Sequence, residues 1–271
     1  MQKKTKRIIP LSITLATAVF FTGISAQVAA SEHVTRIPDQ MKAGTIIEFD
    51  EDNKMRIIVE GEPVPKKKPI MRKVLSPEQQ KHLEEEEKMV QKIREEAKDL
   101  PVYHLENPAP QPGMRVIYDG EGLIREIINP KNISPNAYKP LPRGTRKPPG
   151  TYTYGKSNNS ITIKGTTSGS VLGEGRFTNY SDTVGENDNT LKKGDCATKG
   201  EIDNPSYGTK IASRNLENDV FAYVYKRDNG ALPDAVLDIW KTGVELYGLT
   251  WSSSLSFKGR YYYEFNENDD K

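Results

Sequence analysis

The chain has one cysteine, Cys196, in 271 residues. An exported chain with a single thiol forms no internal disulfide, so its fold must rest on an apolar core. A nucleophilic thiol would also need a base beside it. The only three histidines, His33, His82 and His104, lie in another region of the sequence, and Cys196 reads as a small core residue. Excess charge of one sign is missing too. Lys and Arg number 39 against 37 Asp and Glu, a net charge of +2, which argues against the strong basic face that a nucleic-acid partner requires. Hydrophobic residues make up 35% and the mean hydropathy is −0.68, too polar for a chain that is tightly packed throughout. Beyond the first thirty residues no apolar run is long enough to cross a membrane.

Those first thirty residues carry a different pattern. Lys3, Lys4, Lys6 and Arg7 precede an apolar stretch from Ile8 to Ile24, and Val28-Ala29-Ala30 forms a small-residue cleavage site before Ser31. This is the layout of a secretory signal peptide over residues 1–30. An uncleaved anchor is the alternative, weakened by Pro10, Thr14, Thr17 and Thr22. The expected mature chain is secreted to the cell wall and has no stable membrane span.

Two segments of the mature chain resemble each other. Gly44-Thr45-Ile46-Ile47-Glu48-Phe49-Asp50 followed by Met55 to Val59 aligns without a gap on Gly113-Met114-Arg115-Val116-Ile117-Tyr118-Asp119 followed by Ile124 to Ile128, 69 positions later (113 − 44). Each is a pair of β-rich runs around a polar turn, a hairpin signature. A lone hairpin is marginal in water, so the two are expected to pair with each other or dock on something larger. Between them Ser76 and Pro77 open a helix that Pro101 stops, with Leu83, Val90, Ile93 and Ala97 on a narrow stripe. So thin a seam predicts a solvated spacer. Pro63 to Pro69 and Pro130 to Pro149 read as extended basic linkers, the second able to lie against an anionic polymer through Arg143, Arg146 and Lys147.

From Thr151 onward short alternating runs appear between Gly, Asn and Asp: Thr151 to Tyr154, Ser160 to Ile163, Lys210 to Ala212, Val220 to Tyr225 and Gly259 to Phe265. Strands at this spacing predict an all-β barrel or sandwich. The predicted divisions are residues 1–30, 31–75, 76–100, 101–149 and 150–271, the last being the barrel domain.

Three stretches of that domain carry the chemistry: Gly175-Arg176-Phe177-Thr178-Asn179-Tyr180, Asp203 to Ile211, and Asp228-Asn229-Gly230 running through Leu237-Asp238-Ile239-Trp240 to Gly248. The third reads as a strand ending near Asp228, a glycine turn, and Asp238 at the head of a short helix, where free backbone N–H groups would hold it ionised. Two carboxyls in different environments are the usual apparatus of glycosidic bond chemistry, although an aspartate at a helix head is also an ordinary cap. Trp240 and Trp251 read first as packing residues.

In this order and spacing the three stretches resemble the double-psi β-barrel superfamily, and within it the rare lipoprotein A-like barrels, the bacterial expansins and the three-aspartate domain of a lytic transglycosylase. The resemblance spans residues 170–266. It implies a six-stranded double-psi barrel and a peptidoglycan-active, lytic-transglycosylase-type enzyme, with Asp238 as general acid/base and Asp228 as the second site aspartate. The same resemblance places Asp203 and Thr178 at the site, and Tyr180 and Trp240 join them as candidate substrate contacts. No metal or cofactor is implied, the partner is peptidoglycan or another wall polysaccharide, and a monomer is expected. Where rare lipoprotein A-like enzymes carry a histidine, this chain has Glu201-Ile202-Asp203. That departure keeps a non-catalytic, expansin-like wall-binding module as the alternative.

Overall fold

The computed structural model describes residues 34–66, 70, 72, 74–130 and 138–266. The predicted signal peptide and cleavage site lie outside them, as do residues 67–69 and 131–137 of the two basic stretches. The described chain is all-β apart from one α-helix and two 3-10 turns.

The duplicated segments do pair with each other. The first forms β1 (Ile46–Phe49) and β2 (Met55–Val59). Next come the helix α1 (Pro77–Ala97) and strand β3 (Val102–Leu105), and the second segment forms β4 (Arg115–Tyr118) and β5 (Ile124–Ile128). They make one antiparallel sheet of order β2-β1-β4-β5. Ile47 pairs with Val116, its own counterpart in the repeat, so an internal pseudo-dyad runs through that pair. The period-2 pattern buries Ile47, Phe49, Val116 and Tyr118 on one face, where they join Ile37, Met114 and Ile124 in a small core of their own. The chain passes between this sheet and the rest of the molecule three times, through residues 60–76, 106–114 and 129–144.

The larger body begins with β6 (Thr145–Arg146), β7 (Gly150–Tyr154), β8 (Asn159–Lys164) and β9 (Gly169–Tyr180). It continues through β10 (Asp195–Lys199), β11 (Asp203–Asn204), β12 (Lys210–Asn215), β13 (Phe221–Gly230), β14 (Leu237–Trp240) and β15 (Phe257–Phe265). Strands β14, β10, β13, β12, β15 and β9 follow in that order, and β9 pairs back onto β14, closing a six-stranded barrel. The barrel is mixed: β10–β13 and β14–β9 are parallel and the other four pairings antiparallel. Strands β8, β7 and β3 extend the sheet outward from β9. Inside, Phe177, Cys196, Ile211, Val224, Leu237, Ile239, Tyr247, Phe257 and Tyr261 form the core. Gly173 leaves the space that the Tyr261 ring fills: a Cβ there would come within 2.0 Å of it.

Three expectations need correction. Helix α1 is no spacer. Ser76 caps it as read, in a capping box that Gln79 completes, but Val90 and Ile93 are sealed against Leu172 of β9. Burial of that size contributes roughly 1.5–3 kcal/mol per side chain. Glu86, 1% exposed, pairs with Arg214 at 2.8 Å and Arg260 at 3.2 Å on the barrel wall. A thin seam plus one buried carboxylate therefore suffices for docking. The second basic stretch is not a free linker from residue 138 on. Leu141, Gly144 and Lys147 donate backbone N–H groups to Gly200, Asn204 and Ile202, Arg143 pairs with Glu186, and Arg146 stacks on Phe265 at 3.6 Å. Finally, Asp238 is not a helix cap. It lies inside β14, and the 3-10 turn Lys241–Tyr247 begins only after Trp240.

Candidate functional site

Four neighbouring strands place the candidate residues in one row. Ala197 of β10 pairs with Asp228 of β13 on one side and with Asp238 of β14 on the other, and Asp238 pairs with Thr178 of β9. The inward positions beside them, Phe177, Cys196, Leu237 and Ile239, belong to the core, so this row faces outward. A register slip between Cys196 and Ala197 turns Asp228 to the same side, a bulge re-aiming a side chain. The strand runs on to Gly230, past the predicted turn at Asp228. Two strand spacings separate Asp228 from Asp238, roughly 10 Å between backbones.

Asp238 is half-buried. Enclosure by protein pushes its carboxyl up to about 6, although the Thr178 hydrogen bond and the Arg125 and Arg176 charges pull the other way. The expectation of an aspartate held ionised by a helix terminus is overturned, because Asp238 lies within a strand and desolvation dominates. Thr178 Oγ1 donates to Asp238 Oδ1 at 2.8 Å, which leaves Oδ2 as the oxygen able to carry a proton.

Asp228 is also raised, chiefly by burial, and accepts the Asn229 N–H at 2.9 Å. Its charged neighbours are Glu186, Lys226 and Asp182. It does not line the cavity at Asp238. Tyr180 packs with Ala197, Leu191 and Trp240. Its hydroxyl is buried and has no hydrogen-bond partner among the described residues. Burial makes it a weaker acid than an ordinary tyrosine, and the Asp228 and Asp238 charges add to that. Trp240 donates its indole N–H to the Asp182 carbonyl at 2.6 Å and pairs beside Tyr180. Asp203 is elsewhere: fully buried, it accepts the Tyr263 hydroxyl at 2.6 Å and lies 3.8 Å from Arg146. It is sealed from solvent in this conformation.

The cavity over Asp238 holds only about 40 Å³, whereas sites that take small organic ligands run to roughly 300 Å³ and more. Part of its wall is the loop Ser253–Leu255. Asn179 ties that loop down through the Ser252 and Leu255 carbonyls and receives the Trp251 indole N–H. Asp234, a further carboxylate in the lining, is engaged by Ser157 and Asn159. The roof comes from the other module: Asp119, Ile124 and Arg125 of the second hairpin. Asp119 and Arg176 form a buried ion pair, Glu121 lies 3.3 Å from the Arg176 Nε, and the Ser256 hydroxyl donates to Glu121 at 2.6 Å. Sequence reasoning missed these roof residues because they lie far from the barrel motifs in the chain. The unabsorbed signal was the duplication itself.

A second cavity of about 370 Å³ lies beside Lys199. Burial brings that amine down to about 8, yet it already donates to the Ala231 and Leu232 carbonyls and sits over the Tyr154 ring. Cys196 is fully buried and its thiol is pushed up by burial, consistent with a core residue. Among the described residues no group of His, Cys, Asp and Glu is arranged to hold a metal, and no helix is long and apolar enough to cross a membrane. No protein-family model matches this chain, and no significant match exists among curated proteins or solved structures.

Proposed function

We propose that the chain is an exported cell-envelope protein whose barrel is of the double-psi type and cleaves peptidoglycan glycan in the manner of a lytic transglycosylase. The observation that carries this reading is the Asp238 carboxyl. It faces outward, is tuned to about 6, and has one oxygen held by Thr178. A carboxyl so tuned is partly protonated near neutrality and is suited to general acid catalysis. In the proposed reaction Asp238 Oδ2 gives its proton to the glycosidic oxygen as the C–O bond breaks. The resulting carboxylate then takes the proton of the sugar's own C6 hydroxyl while that oxygen closes on the anomeric carbon. One anhydro sugar and one sugar with a new free hydroxyl at its non-reducing end result, water is not consumed, and Asp238 ends protonated as it began. Tyr180, with its unpaired hydroxyl, and Trp240 are the proposed sugar contacts. The export signal in residues 1–30 supports the envelope setting.

The second reading, a non-catalytic wall-binding module, draws on one observation: Asp228 stands outside the Asp238 cavity, and the other two carboxylates that line it are engaged, Asp119 by Arg176 and Asp234 by Ser157 and Asn159. The deciding experiment is mass spectrometry of purified peptidoglycan incubated with the protein or with Asp238→Asn. The enzyme reading expects anhydro-muropeptides from the wild type and a loss of about two to four orders of magnitude in the variant, the usual size of an acid/base contribution. Equal product from both would remove Asp238 from the mechanism. No product from either, with binding to the wall retained, would leave the second reading standing.

A further inference from the structure

We propose that the second hairpin is a latch on the Asp238 site, shut by Asp119 and Glu121 on Arg176, and that it must lift before a polymer can reach Asp238. The proposal rests on the reading of Asp238 as the working residue. Its first support is size. A cavity of about 40 Å³ roofed by Asp119, Ile124 and Arg125 cannot admit a sugar ring.

The second support is how the roof is attached. The apolar core under the hairpin, from Ile37 to Ile124, belongs wholly to the N-terminal sheet, and none of its buried members comes from the barrel. The contacts over Arg176 are polar: Asp119 and Glu121 on Arg176, and Ser256 on Glu121. Such a contact can open without tearing a hydrophobic core, because the groups exposed are ones that water solvates well.

The third support is tailoring. Where the first hairpin has Glu51, the second has Gly120, and a Cβ at Gly120 would stand 2.4 Å from the Cβ of Ser254. The missing side chain is what lets this turn close against the barrel loop. Arg176 is 6% exposed, and its Nη1 has no hydrogen-bond partner among the described residues. With Asp119 withdrawn, a buried guanidinium would lose its main counter-charge, so weakening the latch pushes toward the open form.

The test reads access and not catalysis. A Thr178→Cys chain carries a reporter thiol on the cavity floor, while Cys196, fully buried, stays silent to a maleimide. Asp119→Asn with Glu121→Gln should speed labelling of the reporter at least about tenfold, within the range of typical coupling between sites. Asn at 119 still offers an oxygen to the turn's backbone N–H groups, so the hairpin itself keeps its shape. Gly120→Ala, which leaves every charge in place, should speed labelling as well and keeps the test decisive should the charge variant not fold. Asp50→Asn with Asp52→Asn, the counterpart carboxylates of the first hairpin, should leave the rate alone. Unchanged labelling in the folded Asp119/Glu121 or Gly120 variants overturns the latch, and so does equal acceleration by the first-hairpin controls. Opening substitutions that act as stated, put into a chain that keeps Thr178, and yet yield no anhydro product would count against the enzymatic reading and leave the latch intact.

Discussion

At Asp50 and at Asp119 the chain makes the same turn. Each carboxylate accepts the backbone N–H groups two and four residues on, from Asp52 and Lys54 in one copy and from Glu121 and Leu123 in the other. Gly44 and Gly113 both sit at φ +76°, and Asn53 and Gly122 share the left-handed region. The difference lies in the free oxygen. In the first copy Asp50 Oδ2 pairs with Arg56 of its own hairpin at 2.9 Å. In the second, Asp119 is taken by Arg176 of the barrel. The counterpart of Arg56 is Arg125, which is released and turned toward Asp238. One turn therefore serves two purposes: where it closes its own circuit it is a local brace, and where the barrel supplies the cation it becomes an intermodule contact that delivers a spare arginine to the site.

Breaking the two copies in parallel tests this contrast, and the largest effect is expected at the carboxylates. Asp119→Ala strands Arg176 in a buried site and should cost about 3–5 kcal/mol. Asp50→Ala loses mainly backbone hydrogen bonds near solvent and should cost about 1 kcal/mol. Denaturant unfolding of both variants measures the gap, and equal costs would mean that the Arg176 pair contributes little.

Next in size is the carboxyl beneath the roof. The folded protein holds the Asp238 proton more tightly than the unfolded chain does, since its carboxyl is raised from 3.8 to about 6. Its ionisation therefore opposes folding: the penalty is absent below pH 4, grows through the window up to about 6, and is complete above it. Asp238→Asn, which can still accept from Thr178, should then stabilise the protein by about 1–3 kcal/mol at pH 7 and by nothing at pH 4. Thermal melts at the two pH values decide, and a variant no more stable at pH 7 than the wild type would show that the site does not strain the carboxylate.

The smallest effect separates the two arginines. The Arg125 charge lowers the Asp238 carboxyl. Arg125→Gln should let that acid stay protonated to higher pH and move the alkaline limb of activity up by at most about one pH unit. Arg56→Gln, breaking a surface pair, should leave the limb in place and change stability by less than about 1 kcal/mol. Identical pH profiles for the two variants would erase the distinction between the copies.

How much of this could be read in the sequence depended on whether the pattern was local. Strands β7, β8, β12, β13 and β15 showed themselves by alternation, and the hairpin repeat by plain alignment. Residues 169–175 of β9 did not, because Gly169, Gly173 and Gly175 replace the apolar marks of a strand where close packing leaves no room for a Cβ. Strand β10 escaped for the opposite reason: all five residues of Asp-Cys-Ala-Thr-Lys are buried, so no polar face alternates with an apolar one. Asp238 was picked out as a residue of interest but given the wrong setting, since an aspartate just before a helical turn looks like a cap whether or not a strand holds it. The Asp119–Arg176 pair spans 57 positions, and no periodicity reports a contact of that range.

The three passages of the chain between sheet and barrel have a consequence for how such a roof could be controlled. A protease cutting any one of the connections would leave each half of the sheet still tied to the barrel, covalently or through the β1–β4 ladder. The roof cannot be discarded like the pro-segment of a zymogen. Whatever raises it must act by competition for the same charges, and once the competitor departs the cover is still there to return.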